Sequence, residues 1–255
     1  MLVALTRPVS ASLAECELTH LPRQPIDVAR AIAQHAAYEA ALLALGVRLV
    51  RVAAAPEQPD AVFIEDTAIV LDEMAVLTRP GAVSRRGETA AVAAVLAPFR
   101  PLLHLDAPAT LDGGDVLRLG HELHVGQSAR SNAAAVAALL DWLTPHNYRV
   151  HATPFQHCLH LKSAVTAVGE RRLLLNPDWV APDRFPGYDT IAVDPAEPAA
   201  ANALLVGGAV LYPEHFPRTA ERLRRSGVRL LPVECDELAK AEGGVTCCSL
   251  LFQDP

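Results

Sequence analysis

The stretch Leu111-Asp112-Gly113-Gly114-Asp115-Val116-Leu117-Arg118-Leu119-Gly120-His121-Glu122-Leu123-His124-Val125-Gly126 decides how the chain is read. Two glycines between acids mark a tight backbone at a strand start. The apolar residues after them read as two strands. Asn132–Leu143 reads as a helix and Tyr148–Ala152 as a further strand. The order strand, strand, helix, strand recurs on both sides. Ala61–Leu77 gives two apolar runs, Ala61–Leu71 and Met74–Leu77, followed by an Ala-rich helix over Gly87–Leu96 and a strand over Leu102–Leu105. His160–Leu175 gives two strands, with a weakly marked helical stretch near Asp183 and a strand over Thr190–Val193. Asn202–Tyr212 gives two more, then a helix over Pro217–Ser226 and a strand over Val228–Val233.

The ends complete the pattern. Leu2–Leu5 is a strand, and Arg7–Gln24 is kept open by Pro8 and Pro22. Asp27 can cap a helix from Val28 to about Leu45, which Gly46 stops, and Val47–Val52 is strand-like. Val245–Phe252 reads as a β-type run, and Cys247–Phe252 closes the last unit. The marked polar residues Asp66, Asp112, His160, Asn202 and Cys247 each fall near the start of a unit, roughly 42 to 48 residues apart. Arg85 and Arg130 are one period apart, each in a turn before a helix. Five mixed α/β units of one period point to a closed, propeller-like ring rather than an open solenoid. In such a ring, equivalent positions converge on the axis, so distant residues can share one central pocket.

Composition narrows the function classes. The chain has 255 residues, 51% hydrophobic and 20% charged, as in a soluble globular protein. Its net charge of −7 and lack of a basic run argue against a nucleic-acid partner and suit a cationic small molecule. No apolar run is long enough to span a membrane, and Met1–Leu5 is too short for a signal-peptide core. Five cysteines without framework spacing predict free thiols in a reducing cytoplasm. The apolar strands and Ala-rich helices are compatible with a homodimer.

The chemistry-bearing residues each have a bland alternative. Cys247 follows Gly243-Gly244, so its thiol can sit at the mouth of a pocket, but most free cysteines are small buried core residues. A thiol of ordinary pKa, about 8.5, is only a few per cent thiolate at pH 7 and needs a positive partner. Glu65-Asp66 puts two carboxylates in an apolar run, either a solvated strand end or part of a site. Asp60 follows Pro59 in a loop, where Asp is common. Asp112 and Asp115 flank a turn that lacks the further oxygen ligands of a calcium loop. His160 stands between leucines, as a core histidine or an acid/base group. The spacing of His157, Cys158 and His160 matches no zinc pattern. Arg85 and Arg130 are solvated loop residues or a clamp for a carboxylate.

Taken together, Pro59-Asp60, Phe63-Ile64-Glu65-Asp66, Thr78-Arg79-Pro80-Gly81-Ala82, Ser84-Arg85-Arg86, Thr110–Asp115, Arg130-Ser131-Asn132, Leu159–Ser163, Ala200-Ala201-Asn202 and Gly243–Ser249 resemble the dimethylarginine dimethylaminohydrolases. These belong to the guanidino-modifying (pentein) superfamily. The resemblance covers nearly the whole chain and implies a single catalytic domain over residues 1–255 with a five-bladed α/β-propeller fold. It implies Cys247 as nucleophile, His160 as acid/base and Asp112 beside the histidine and the guanidinium. It further implies Asp66 with Glu65 at the guanidinium, and Arg85 and Arg130 at the substrate α-carboxylate. Asp60 and the backbone at Leu18 and Ala241 would meet the α-amino end, with Arg7–Gln24 as a lid. No metal or organic cofactor is implied.

Arginine deiminase, from the same superfamily, is the nearest alternative, although such enzymes usually carry a helical insertion that is not found between Thr89 and Asp112. Hydrolysis of another guanidino compound or of citrulline is a further alternative. A non-catalytic ribosome-binding propeller is a distant one, since it would not need Cys247, His160 and Asp112 together.

Overall fold

A computed structural model describes residues 1–254. Its strands form five separate three-stranded sheets, each of one design. In the first, β1 (Leu2–Thr6) leads through α1 (Val28–Ala44) to β2 (Arg48–Arg51), which pairs parallel to it. The second contains β3 (Ala68–Val70), β4 (Ala75–Leu77), α2 (Thr89–Leu96) and β5 (Leu102–His104). The third runs β6 (Val116–Leu119), β7 (Glu122–Gly126), α3 (Ala133–Leu143) and β8 (Arg149–Thr153). In the fourth, a one-turn helix α4 (Leu161–Ala164) precedes β9 (Val165–Gly169), β10 (Arg172–Leu175) and β11 (Asp189–Ala192). The fifth holds β12 (Leu204–Val206), β13 (Ala209–Pro213), α5 (Pro217–Arg225) and β14 (Leu230–Val233). A short helix α6 (Asp236–Ala239) and β15 (Leu250–Gln253) end the chain.

In each sheet the middle strand pairs antiparallel with one neighbour and parallel with the other. The parallel pair needs a crossover, which the helices of units one, two, three and five supply. β15 pairs antiparallel with β1, Leu2 opposite Gln253 and Leu5 opposite Leu250, so the two ends of the chain complete one blade and close the ring. This is the five-bladed α/β propeller that the resemblance implies, and it agrees with the closed ring of five units read from the period.

Helices cover the outer faces. Asn132 caps α3 by accepting from Ala135 N–H, and Asp27 caps α1 by accepting from Arg30 N–H. Ala135, Leu139 and Leu143 of α3 are buried in one cluster with Leu123 and Val125 of β7. Burying each such leucine or valine stabilises the blade by about 1.5–3 kcal/mol. Around the axis, β3, β6, β9, β12 and β15 line a cavity of about 320 Å³, with Glu65, Lys162 and Thr246 among its walls.

Five elements differ from expectation, one of them the one-turn helix α4 at the start of an expected strand. Ala61–Thr67 is turn and 3₁₀ helix rather than strand, and Val245–Cys248 is a turn before β15. The helix sought near Asp183 is only a 3₁₀ turn, Pro182–Arg184. The four-residue α6 has no signal of periodicity at all.

Candidate active site

The loops that enter β3, β6, β9, β12 and β15 carry Asp66, Asp112, His160, Asn202 and Cys247 to one end of the axis. Asp66, Arg85, Arg130, His160, Ala241 and Cys247 line one slot, together with Glu17, Asp60, Phe63, Leu159, Glu242 and Gly243. About 10 Å³ of it is free, barely room for one water molecule. An amino-acid-sized ligand therefore enters only if a wall moves.

His160 stands between acids. Its Nε2 lies 3.1 Å from Asp112 Oδ2, and its Nδ1 lies 3.8 Å from Asp66 Oδ1. Burial alone would lower its pKa. The Asp66 charge, the hydrogen bond to Asp112 and the Asp115 charge outweigh burial and raise it to about 9. Asp66 is the mirror image: burial would raise it, but His160 and Arg85 hold it down to about 2. The loop is pinned by Asp115, whose carboxylate accepts from Leu161 N–H at 2.9 Å and from Ser128 Oγ at 2.7 Å. Gly114 is glycine because a Cβ there would sit 2.5 Å from His160 Nδ1 and 2.8 Å from Asp66 Oδ1.

Cys247 is buried, and its Sγ accepts from Gly244 N–H at 3.3 Å. Burial first, then the charges of Glu65 and Asp66, push its thiol well above the ordinary range. At rest the sulfur is therefore a neutral thiol in the slot that the His160 imidazolium also lines. Asn202 fixes the preceding residue. Its Oδ1 accepts from Thr246 N–H at 3.1 Å, and its Nδ2 donates to Thr246 Oγ1 at 2.9 Å and to Lys162 O at 3.1 Å.

The two arginines share the slot. Arg85 is buried and donates to Asp66 Oδ2 at 2.6 Å, to both Glu88 carboxylate oxygens and to the carbonyls of Phe63 and Asp60. It is not a solvated loop residue. Arg130 is also buried, with Nη1 3.6 Å from Asp112 Oδ2 and Nη2 donating to Thr19 Oγ1 at 3.1 Å. Asp60 Oδ2 accepts from Glu17 N–H at 3.1 Å, and burial raises its pKa.

One carboxylate is not where the sequence reading put it. Glu65 turns away from the slot toward the axial cavity, where it meets Lys162 Nζ at 2.5 Å and accepts from Thr246 Oγ1 at 2.8 Å. Asp66 and Glu65 are adjacent in the Ile64–Thr67 turn, and their side chains leave it toward different cavities. The Leu18 side chain is half-buried and packs on the apolar cluster of α1, and its neighbour Glu17 lines the slot. Reading by residue type also passed over Glu88 and Glu242. Glu88 was visible only as a charge three residues after Arg85.

Among the described residues, Asp66, Asp112 and His160 form the one group whose ligand atoms all lie within 4.8 Å, as a metal site requires. Protein cations already neutralise it. Arg85 holds Asp66, Arg130 leans on Asp112, and His160 is protonated whereas a ligand must be neutral. No helix among the described residues is long and apolar enough to cross a membrane.

No protein-family model matches the chain. Individual relatives do. An N(G),N(G)-dimethylarginine dimethylaminohydrolase of Streptomyces coelicolor is 40% identical over 253 residues, 98% of this chain and 97% of that protein. One of Pseudomonas aeruginosa is 34% identical over 228 residues, 89% and 90% of the two chains. A structure of the Pseudomonas aeruginosa enzyme, a cysteine-to-serine mutant complexed with citrulline, superposes with a TM-score of 0.93 at 32% identity, covering 98% of both chains. The N-terminal domain of a cyanobacterial arginine dihydrolase shares the fold, with a TM-score of 0.88 at 20% identity. On this likeness along nearly its whole length, the chain belongs to the dimethylarginine dimethylaminohydrolase family.

Proposed function

We propose that the chain hydrolyses N-methylated arginine, taking dimethylarginine and water to citrulline and dimethylamine, with Cys247 as nucleophile. The observation that carries this is the slot itself, in which a sulfur, a protonated imidazole and buried carboxylates meet within reach of two arginines. A guanidinium is resonance-stabilised and a poor electrophile. Asp66 and Asp112 keep it cationic and stabilise the more localised charge of its tetrahedral adduct. The bound cation opposes the carboxylates that hold the thiol neutral, so Cys247 gives up its proton to solvent as substrate arrives.

The thiolate then attacks the guanidinium carbon, with Gly244 N–H beside the sulfur. His160 donates its proton to the methylated nitrogen, and the C–N bond breaks to leave a thiouronium on Cys247. As imidazole, His160 next takes a proton from water, whose oxygen attacks the same carbon. The C–S bond breaks, the thiolate returns, and the remaining hydroxyl proton leaves to solvent. Arg85 and Arg130 would hold the α-carboxylate, and Asp60 with the carbonyls of Leu18 and Ala241 the α-amino group. Glu65 acts from behind by holding Thr246, the residue before the nucleophile. Nothing in these steps calls for a metal or organic cofactor. The whole chain is read as one catalytic domain, and its five free cysteines suit the cytoplasm.

The test is a side-by-side turnover assay on asymmetric dimethylarginine, monomethylarginine, arginine and agmatine. Citrulline is expected from the two methylated arginines and little from the others. Release from arginine alone would make the protein a deiminase, and no ureido product from any of them would end the reading.

A further inference from the structure

The segment over the slot is tied down by a carboxylate outside the catalytic set. Glu242 accepts three consecutive backbone N–H groups, those of Thr19 at 2.8 Å, His20 at 2.5 Å and Leu21 at 2.7 Å. His20 and Leu21 are exposed, so burial of apolar surface does not hold this stretch in place. Glu242 itself adopts φ +59°, the left-handed region that non-glycine residues seldom occupy. Gly243 and Gly244 follow directly, and Gly244 N–H bonds the Cys247 sulfur. The strained residue thus belongs to the thiol-bearing loop while its side chain grips the opposite wall. Two further contacts tie the same segment to slot residues, Thr19 to Arg130 and the Glu17 amide to Asp60.

We propose that Glu242 is a positioning residue, the latch that closes Thr19–Leu21 over the slot and couples that closure to the Cys247 loop. It touches no reacting atom. It acts by keeping three amides on one carboxylate, and because the closed slot admits no substrate, those bonds break and re-form in each catalytic cycle. The effect on turnover rests on the amidinohydrolase reading, but closure itself is measurable without substrate.

The decisive variant is Glu242→Gly, which keeps the left-handed backbone and removes the carboxylate. Glu242→Gln, which loses the charge but keeps one acceptor, is the conservative companion. In Glu242→Gly, hydrogen exchange at the amides of Thr19, His20 and Leu21 is expected to quicken at least tenfold. Alkylation of Cys247 by iodoacetamide, read at that residue by mass spectrometry, should quicken at least fivefold. KM for dimethylarginine should rise at least tenfold with kcat within threefold, and the Gln variant should fall between. Unchanged exchange and alkylation in Glu242→Gly would overturn the proposal. So would a collapse of kcat at constant KM, which would place the role of Glu242 in the fold of the thiol loop. If exchange and alkylation respond but no guanidine is turned over, the latch stands and the functional reading falls.

Discussion

Replacing Asp112 by Asn isolates the electrostatics that set His160. The side chain is fully buried, so the substitution keeps its shape and its acceptance from Gly81 N–H at 2.9 Å while removing one charge. A bare Coulomb interaction at 3.1 Å and effective dielectric 20 is about 5 kcal/mol. That figure is too large here, because the Arg130 guanidinium 3.6 Å away already offsets part of the charge. A charge-assisted hydrogen bond nets about 1.5–3 kcal/mol, which lowers the His160 pKa by about one to two pH units from about 9. A raised histidine pKa stabilises the fold fully below the unfolded value of 6.5, and that contribution is lost as pH rises through about 9. The wild-type protein should therefore lose roughly 3 kcal/mol between pH 6.5 and 9.5 from this group, and Asp112→Asn distinctly less. Ring-nitrogen NMR of His160 across pH 5–10 gives the pKa directly, and melting curves over the same range give the stability slope. The alkaline limb of kcat/KM should move the same way, with kcat down about 10²–10⁴-fold from misdirected proton transfer. A His160 titration unmoved by the substitution would refute the reasoning.

Two other substitutions probe the scaffold behind the slot. Lys162→Met should cost about 3–5 kcal/mol in urea denaturation, because it leaves the buried Glu65 carboxylate without its cation. The double variant Glu65→Gln, Lys162→Met should recover most of that loss, and a single-variant cost below about 1 kcal/mol would show that the pair is solvated. Gly114→Ala should fold, since Gly114 needs no left-handed backbone, yet lose about 10²-fold or more in kcat as the new methyl parts His160 from Asp66. Activity within threefold of wild type would contradict the tight packing of that loop against the imidazole.

Much of this was legible in the sequence because a ring repeats one solution five times. The interval between Asp66, Asp112, His160, Asn202 and Cys247 is a property of the chain, and their convergence follows from closure by β1 and β15. Asp27 announced α1 by residue type, and the structure shows its side chain at the helix start. Where the reading failed, the signal was degenerate or missing. Ala61–Leu71 is apolar because it is buried, and a buried turn leaves the same trace as a buried strand. Adjacent carboxylates give no hint that Asp66 faces the slot while Glu65 faces the axial cavity. Glu242 carries no pattern because its partners are backbone amides more than 200 residues away, which every sequence possesses.

The central claim is that the Cys247 sulfur carries the substrate carbon. Rapidly quenched turnover of dimethylarginine, followed by mass spectrometry of the peptide containing Cys247 and Cys248, tests it most directly. A substrate-derived amidino adduct is expected on Cys247, retained in Cys248→Ser, and absent together with citrulline formation in Cys247→Ser. Citrulline formation at the wild-type rate by Cys247→Ser, or an adduct that persists on Cys248, would contradict it.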